Sequence, residues 1–75
     1  MKKIYIDPGH GGKDSGAIGY GLKEKDITLK IGLYTRDFLN NNYENLVVKM
    51  SRTKDETVSL KQRTDDANKW GADVL

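Results

Sequence analysis

The run Ile4 to Glu24, IYIDPGHGGKDSGAIGYGLKE, constrains this chain more than any other stretch. Three apolar residues break at Asp7-Pro8 into a glycine-rich loop that carries the only histidine and ends at a carboxylate. Six glycines fall between Gly9 and Gly21, more than a solvent-exposed connector needs. Each allows positive φ or close approach of another group, so the loop is shaped around something. Pro8 fixes φ and pushes Asp7 toward an extended conformation, which ends the strand at a defined place with His10 two residues on. In an open α/β sheet, ligands gather beyond the carboxyl ends of the strands, where His10 falls. Glu24 follows beside the start of a helical pattern, and an imidazole with a carboxylate is a usual pair of zinc ligands.

Two phosphate-binding readings of the loop fail. A phosphate loop ending at Gly12-Lys13 needs glycine where Asp7 stands, and Ser or Thr where Asp14 stands. The dinucleotide pattern starting at Gly9 also meets Asp14 in place of its last glycine. From the loop alone, His10 is either a metal ligand or an ordinary surface residue, and the residues leave both readings open.

Along the chain, Lys3 to Asp7 reads as a short, nearly continuous apolar strand of the kind covered on both faces. The loop follows to about Lys23. From Asp26 to about Asn41 the spacing is helical, with Ile27, Ile31, Tyr34 and Phe38 on one stripe and Leu29, Leu33 and Leu39 outside it. Such a helix is expected to cover the sheet and to touch something else. Asp26 reads as its N-cap rather than as an acid catalyst, a role open in principle to Asp26 or Asp37. The run Asn40-Asn41-Asn42 supplies a left-handed stop. Leu46 to Met50 is a second strand, β-branched at its centre. A right-handed crossover makes the two strands parallel, so Ser51 and Arg52 emerge at the same sheet edge as His10. Arg52 is then a contact for a substrate carboxylate or an anchor of the loop to Asp55, and its guanidinium suits either.

Thr57 to Trp70 forms a second helix, with Ser59 and Gln62 in capping-box spacing and Gly71 placed to end it. Leu60, Thr64 and Ala67 make its inward stripe, and Trp70 reads as a packing residue before a sugar-stacking one. Asp73-Val74-Leu75 opens a third strand. The fold expected is α/β, an open, mostly parallel sheet with flanking helices. Its β-α-β-α-β order is read as the amino-terminal portion of one larger domain, leaving one sheet edge and one helix side uncovered.

A chain of 75 residues buries roughly 60–65% of its unfolded surface, so its core is small. No cysteine is present to staple it. Net charge is +2, with acids and bases interleaved at Lys23-Glu24-Lys25-Asp26 and Lys54-Asp55-Glu56. That is a solvated face without the basic block that nucleic-acid binding calls for. The basic start MKKIYIDPGH lacks an apolar run of signal-peptide length, and no stretch approaches a membrane span.

The blocks Ile6-Asp7-Pro8-Gly9-His10-Gly11-Gly12, Gly21-Leu22-Lys23-Glu24-Lys25-Asp26, Ser51-Arg52-Thr53-x-Asp55, Val58-x-Leu60-x-x-Arg63 and Ala67-Asn68-x-x-Gly71-Ala72-Asp73 occur in that order. Together they resemble the zinc-dependent N-acetylmuramoyl-L-alanine amidases of bacterial cell-wall lysis. Thr28 and Ser51 depart from the residues common in that family, asparagine and threonine. The resemblance implies that His10 and Glu24 are zinc ligands and that Arg63 and Asn68 sit at family positions, read here as structural. It also implies a third histidine ligand and a catalytic glutamate beyond Leu75. The implied reaction is hydrolysis of the amide between muramic acid and the first L-alanine of the peptidoglycan stem, through a water activated by zinc. The expected partner is peptidoglycan and the expected place of action the cell wall, reached by export or release on lysis. Two readings from other classes accompany this one, a non-catalytic peptidoglycan-binding module and an interaction fragment that completes a sheet with another chain.

Overall fold

The computed structural model describes residues 1–75. The elements run β1 (Lys2–Ile6), β2 (Ile18–Gly19), β3 (Leu22–Lys23), α1 (Glu24–Asn42), β4 (Leu46–Met50) and α2 (Leu60–Trp70). β1 and β4 pair in parallel, Lys2 opposite Leu46 through Ile6 opposite Met50. On the other side of β1, Ile4 forms a single parallel bridge with Val74, so β1 lies between two neighbours. The expected third strand is thus one bridge long. Its bonds are Tyr5 N–H to the Val74 carbonyl at 2.8 Å and Val74 N–H to the Lys3 carbonyl at 3.2 Å.

Alternation along β1 sends its side chains to two unlike faces. Ile6 points at α1, where Gly32 allows close approach: a Cβ there would lie 2.8 Å from the Pro8 ring and 3.1 Å from the Met50 methyl. Lys3 and Tyr5 point at α2 through polar bonds. The Tyr5 hydroxyl donates to Asp66 at 2.7 Å, and the ring meets Trp70 with centroids 6.4 Å apart. Lys49, opposite Tyr5 on β4, reaches the other Asp66 oxygen at 3.0 Å. Lys3 Nζ donates to the Trp70 carbonyl and sits 5.7 Å from the centre of its ring.

Several expectations are corrected here. The stripe Ile27, Ile31, Tyr34 and Phe38 is not the buried side but is largely open to solvent, Ile31 being 61% and Tyr34 72% exposed. The buried side of α1 carries Lys25 and Gly32, with Thr28, Leu29, Leu33, Arg36 and Leu39 half-buried. Apolar periodicity identified the helix but not its inward face, because a small residue and a lysine stem take the closest positions. α1 also starts earlier than expected, with Lys23 at the N-cap and no side-chain cap, so Asp26 is an acidic residue of the first turn. There it favours the helix dipole without capping it. No left-handed asparagine ends α1: the C-cap is Tyr43 in extended conformation, while Asn42 Nδ2 donates back to the Phe38 carbonyl at 2.7 Å.

α2 begins at Leu60, three residues later than the pattern suggested, because Ser59 is its N-cap in a complete capping box with Gln62. Leu60 is 83% exposed and Thr64 is exposed; the residues α2 buries are Arg63 and Ala67. The helix ends as expected at Gly71, with φ 76°. Accessible surface totals 5331 Å², against about 4,600 Å² for a compact monomer of this mass. The outward stripe of α1 contributes to that excess.

Candidate metal centre

The glycine loop leaves β1 at Asp7 and is held from below by two arginines. Arg63, on α2, donates to the carbonyls of Pro8 at 2.6 Å and His10 at 2.8 Å, and pairs with the Asp7 carboxylate. Arg52, just past β4, donates to the carbonyls of Pro8 (3.2 Å), Gly9 (2.9 Å), Lys25 (3.0 Å) and Lys54 (3.0 Å). It is 2% exposed, so its donors are spent on the loop and on the start of α1. The expected link from Arg52 to Asp55 is replaced: Asp55 accepts from Lys25 Nζ at 2.8 Å and from Gly12 N–H at 2.7 Å. Thr28 Oγ1 joins the same cluster by donating to the Gly9 carbonyl at 2.7 Å.

On that support the chain crosses itself closely. A Cβ on Gly12 would lie 2.2 Å from Thr57 Oγ1 and 2.5 Å from its backbone nitrogen. His10 takes a left-handed backbone at φ 62°, which turns its ring back across the loop. Gly16 passes beneath: a Cβ there would sit 2.7 Å from the ring and 2.8 Å from Glu24 Oε1. The absent side chain lets histidine and glutamate close on one another. Residues 18–23, expected as plain loop, form the hairpin β2–β3. Its two-residue turn puts Tyr20 and Gly21 at φ 53° and 72°, a type I′ geometry. The hairpin delivers Glu24 as the first residue of α1. Beside Glu24 lies a shallow apolar hollow of about 340 Å³ between the hairpin and Ile27.

The structure brings together both residues expected as ligands. His10 Nε2 lies 3.0 Å from Glu24 Oε2. Two ligands each about 2.0–2.1 Å from a tetrahedral ion sit roughly 3.3 Å apart, so the pair fits zinc with little movement. His10 Nδ1 lies 2.9 Å from Asp14 Oδ2, a partner the sequence reading missed. Asp14 Oδ1 accepts from Gly16 N–H at 3.1 Å, and Glu24 Oε1 from Ala17 N–H at 3.0 Å. The Asp14 bond, and to a lesser extent the Glu24 bond, raise the His10 pKa above its ordinary value against partial desolvation. Glu24 is held below the usual carboxylate range by the Ala17 N–H first and His10 second; Asp14 is lowered by His10 and then by Gly16 N–H. No three His, Cys, Asp or Glu side chains converge as a complete metal-binding group.

The family model described as N-acetylmuramoyl-L-alanine amidase matches residues 4–75. The chain belongs to that family. Over all 75 residues this amidase-family chain is 59% identical to the N-acetylmuramoyl-L-alanine amidase CwlM of Bacillus licheniformis, covering 30% of that protein. It is 58% identical to the sporulation-specific N-acetylmuramoyl-L-alanine amidase of Bacillus subtilis, covering 29%. In three dimensions it matches the crystal structure of an N-acetylmuramoyl-L-alanine amidase from Clostridium difficile with a TM-score of 0.94 at 39% identity. That match covers 99% of this chain and 40% of the other. The chain thus spans about a third of the length of the amidases it resembles, and the parallel β1–β4 unit with its helices corresponds to part of their α/β domain. No helix is long and apolar enough to cross a membrane.

Proposed function

We propose that this chain supplies two zinc ligands, His10 and Glu24, to a peptidoglycan amidase that hydrolyses the bond between N-acetylmuramic acid and L-alanine. The observation that carries the reading is the 3.0 Å approach of Nε2 to Oε2 on a backbone that only glycine permits at residue 16. A zinc ion held there supplies Lewis-acid chemistry, acidifying water to a pKa of about 7 and polarising a carbonyl. The residues of this chain then have defined tasks. His10 and Glu24 bind, Arg63 and Arg52 hold the loop that aims them, and the hollow beside Glu24 gives an apolar wall against which a substrate can lie. For Arg52 we assign this scaffold task and no contact with a substrate carboxylate, because its donors are already engaged.

A catalytic zinc site uses three protein ligands and keeps a fourth position open. With two ligands, the 75 residues alone are expected to hold zinc weakly and to turn over no peptidoglycan at an enzyme-like rate. In the family pattern the third histidine and the general-base glutamate come from sequence after the Ala72-Asp73 strand. The test is zinc titration of the wild-type chain beside His10→Ala and Glu24→Ala, with release of L-alanine amino termini from purified peptidoglycan followed for the full-length gene product. Zinc binding lost in both variants, with hydrolysis by the full-length protein, is the expected result. Zinc binding indifferent to both substitutions would overturn the ligand assignment.

A further inference from the structure

Both oxygens of Asp14 are engaged at fixed points. Oδ2 lies 2.9 Å from His10 Nδ1, and Oδ1 accepts the Gly16 N–H at 3.1 Å. The backbone around it is closed by two reciprocal bonds between Gly11 and Asp14, at 2.7 Å and 3.0 Å. The backbone of His10 is tied separately, through its carbonyl to Arg63 at 2.8 Å. Only the ring torsions of His10 remain to be set, and Asp14 is the group that meets the ring on the side away from Glu24. The two ring nitrogens have different duties if Nε2 faces the point shared with Glu24. A proton on Nε2 would occupy that point, with Glu24 Oε2 as its acceptor at 3.0 Å, whereas a proton on Nδ1 has its acceptor at 2.9 Å in Asp14, a carboxylate fixed by the Gly16 N–H and the Gly11–Asp14 turn.

We propose that Asp14 is a positioning residue: by accepting from Nδ1–H it competes with Glu24 for the proton of the neutral His10 ring and holds the ring in the tautomer that leaves Nε2 open to a cation at the point shared with Glu24. A ligating histidine whose other nitrogen is bonded to a carboxylate has its tautomer and orientation set before the metal arrives. The purpose of the device rests on the metal reading above, but the tautomer itself does not.

His10 is the only histidine in the chain, so its ring nitrogens give one unambiguous pair of ¹⁵N signals. The experiment is ¹⁵N NMR of the 75-residue chain without metal, at a pH above the titration of the ring. In wild type, Nδ1 should be the protonated nitrogen and Nε2 the unprotonated one. In Asp14→Ala the proton should move to Nε2, toward Glu24. Asp14→Asn should keep it on Nδ1, because the amide carbonyl still accepts. A wild-type ring protonated mainly on Nε2 overturns the proposal, as does an unchanged ring in a folded Asp14→Ala chain. Should Asp14→Ala fail to fold, the wild-type and Asp14→Asn spectra decide.

Titration with zinc chloride adds a second readout, in which Asp14→Ala should lose about ten- to a hundred-fold in affinity. Equal zinc affinity in wild type and Asp14→Ala would count against the role. A wild-type chain that takes up no zinc while showing the Nδ1–H tautomer would overturn the metal reading and leave the positioning role standing.

Discussion

Replacing Arg63 by methionine tests whether the metal loop is carried from beneath by α2. The guanidinium is 6% exposed and meets the carbonyls of Val58, Pro8 and His10 and the carboxylate of Asp7. These losses are unequal. The Pro8 carbonyl keeps Arg52 and Asp7 keeps the Ser51 hydroxyl, whereas the carbonyls of His10 and Val58 have Arg63 as their donor. Two orphaned, part-buried carbonyls cost about 1–3 kcal/mol each. The Asp7 pair, a third exposed at the acid, adds about 0–1 kcal/mol after solvent screening. Methionine retains the apolar stem, so the net loss is about 2–7 kcal/mol. Total stability for a chain of this length is about 4–11 kcal/mol. Each kcal/mol moves Tm by about 4–8 °C at this size, so the variant should melt at least about 8 °C lower. Arg63→Lys should lose most of the same amount, since one ammonium cannot span the Pro8 and His10 carbonyls together. Thermal unfolding followed by circular dichroism measures both. A fall below about 4 °C for Arg63→Met would refute the idea that this side chain carries the loop. Lys61→Met, removing an exposed i, i+4 pair, is the control and should shift stability by about 0.5 kcal/mol or less.

Gly12→Ala forces a Cβ to 2.2 Å from Thr57 Oγ1 at a positive φ, so it should destabilise by about 2 kcal/mol or more and expose the loop to limited proteolysis; native resistance would count against the close crossing. The Asp66 carboxylate is lowered by the Tyr5 hydroxyl and then by Lys49, so its stabilising contribution is present above its unfolded pKa near 3.8 and is lost as pH falls through the lower folded value. Tyr5→Phe should therefore lower Tm near neutral pH and flatten its decline on the acid side; an acid limb as steep as in wild type would refute the assignment. Glu24→Ala should abolish saturable zinc uptake while leaving far-UV circular dichroism near wild type, because Glu24 is half-exposed and its one backbone partner is Ala17. Helix loss in that variant would mean the glutamate is structural.

The elements that sequence alone predicted are those whose signals are local. The β-branched run of β4, the Ser59–Gln62 capping box and Gly71 each act within a few residues, and all three appear where the pattern placed them. The parallel pairing followed from the length of the crossover. His10 and Glu24 were legible as candidates through the loop composition and the family blocks, and folding sets them 3.0 Å apart. The hairpin was missed because two strands of two residues carry no periodicity, although Gly19-Tyr20-Gly21 between Ile18 and Leu22 was a turn signal.

What only the tertiary structure decided is which face of each helix turns inward and who holds the site. An apolar stripe reports that a helix is amphipathic, but close approach to a sheet is decided by size, and Gly32 outranks Ile31 there. α2 buries Arg63 and exposes Leu60 because the loop below it offers carbonyls in need of donors, a demand set by residues more than fifty positions away. Asp14 sits four residues from His10, yet its hold on Nδ1 depends on the left-handed backbone at His10 and the turn closed between Gly11 and Asp14. Composition and spacing name the groups that can bind a cation. The direction in which each one points is a property of the folded backbone, because hydrogen-bond geometry is satisfied across the chain and not along it.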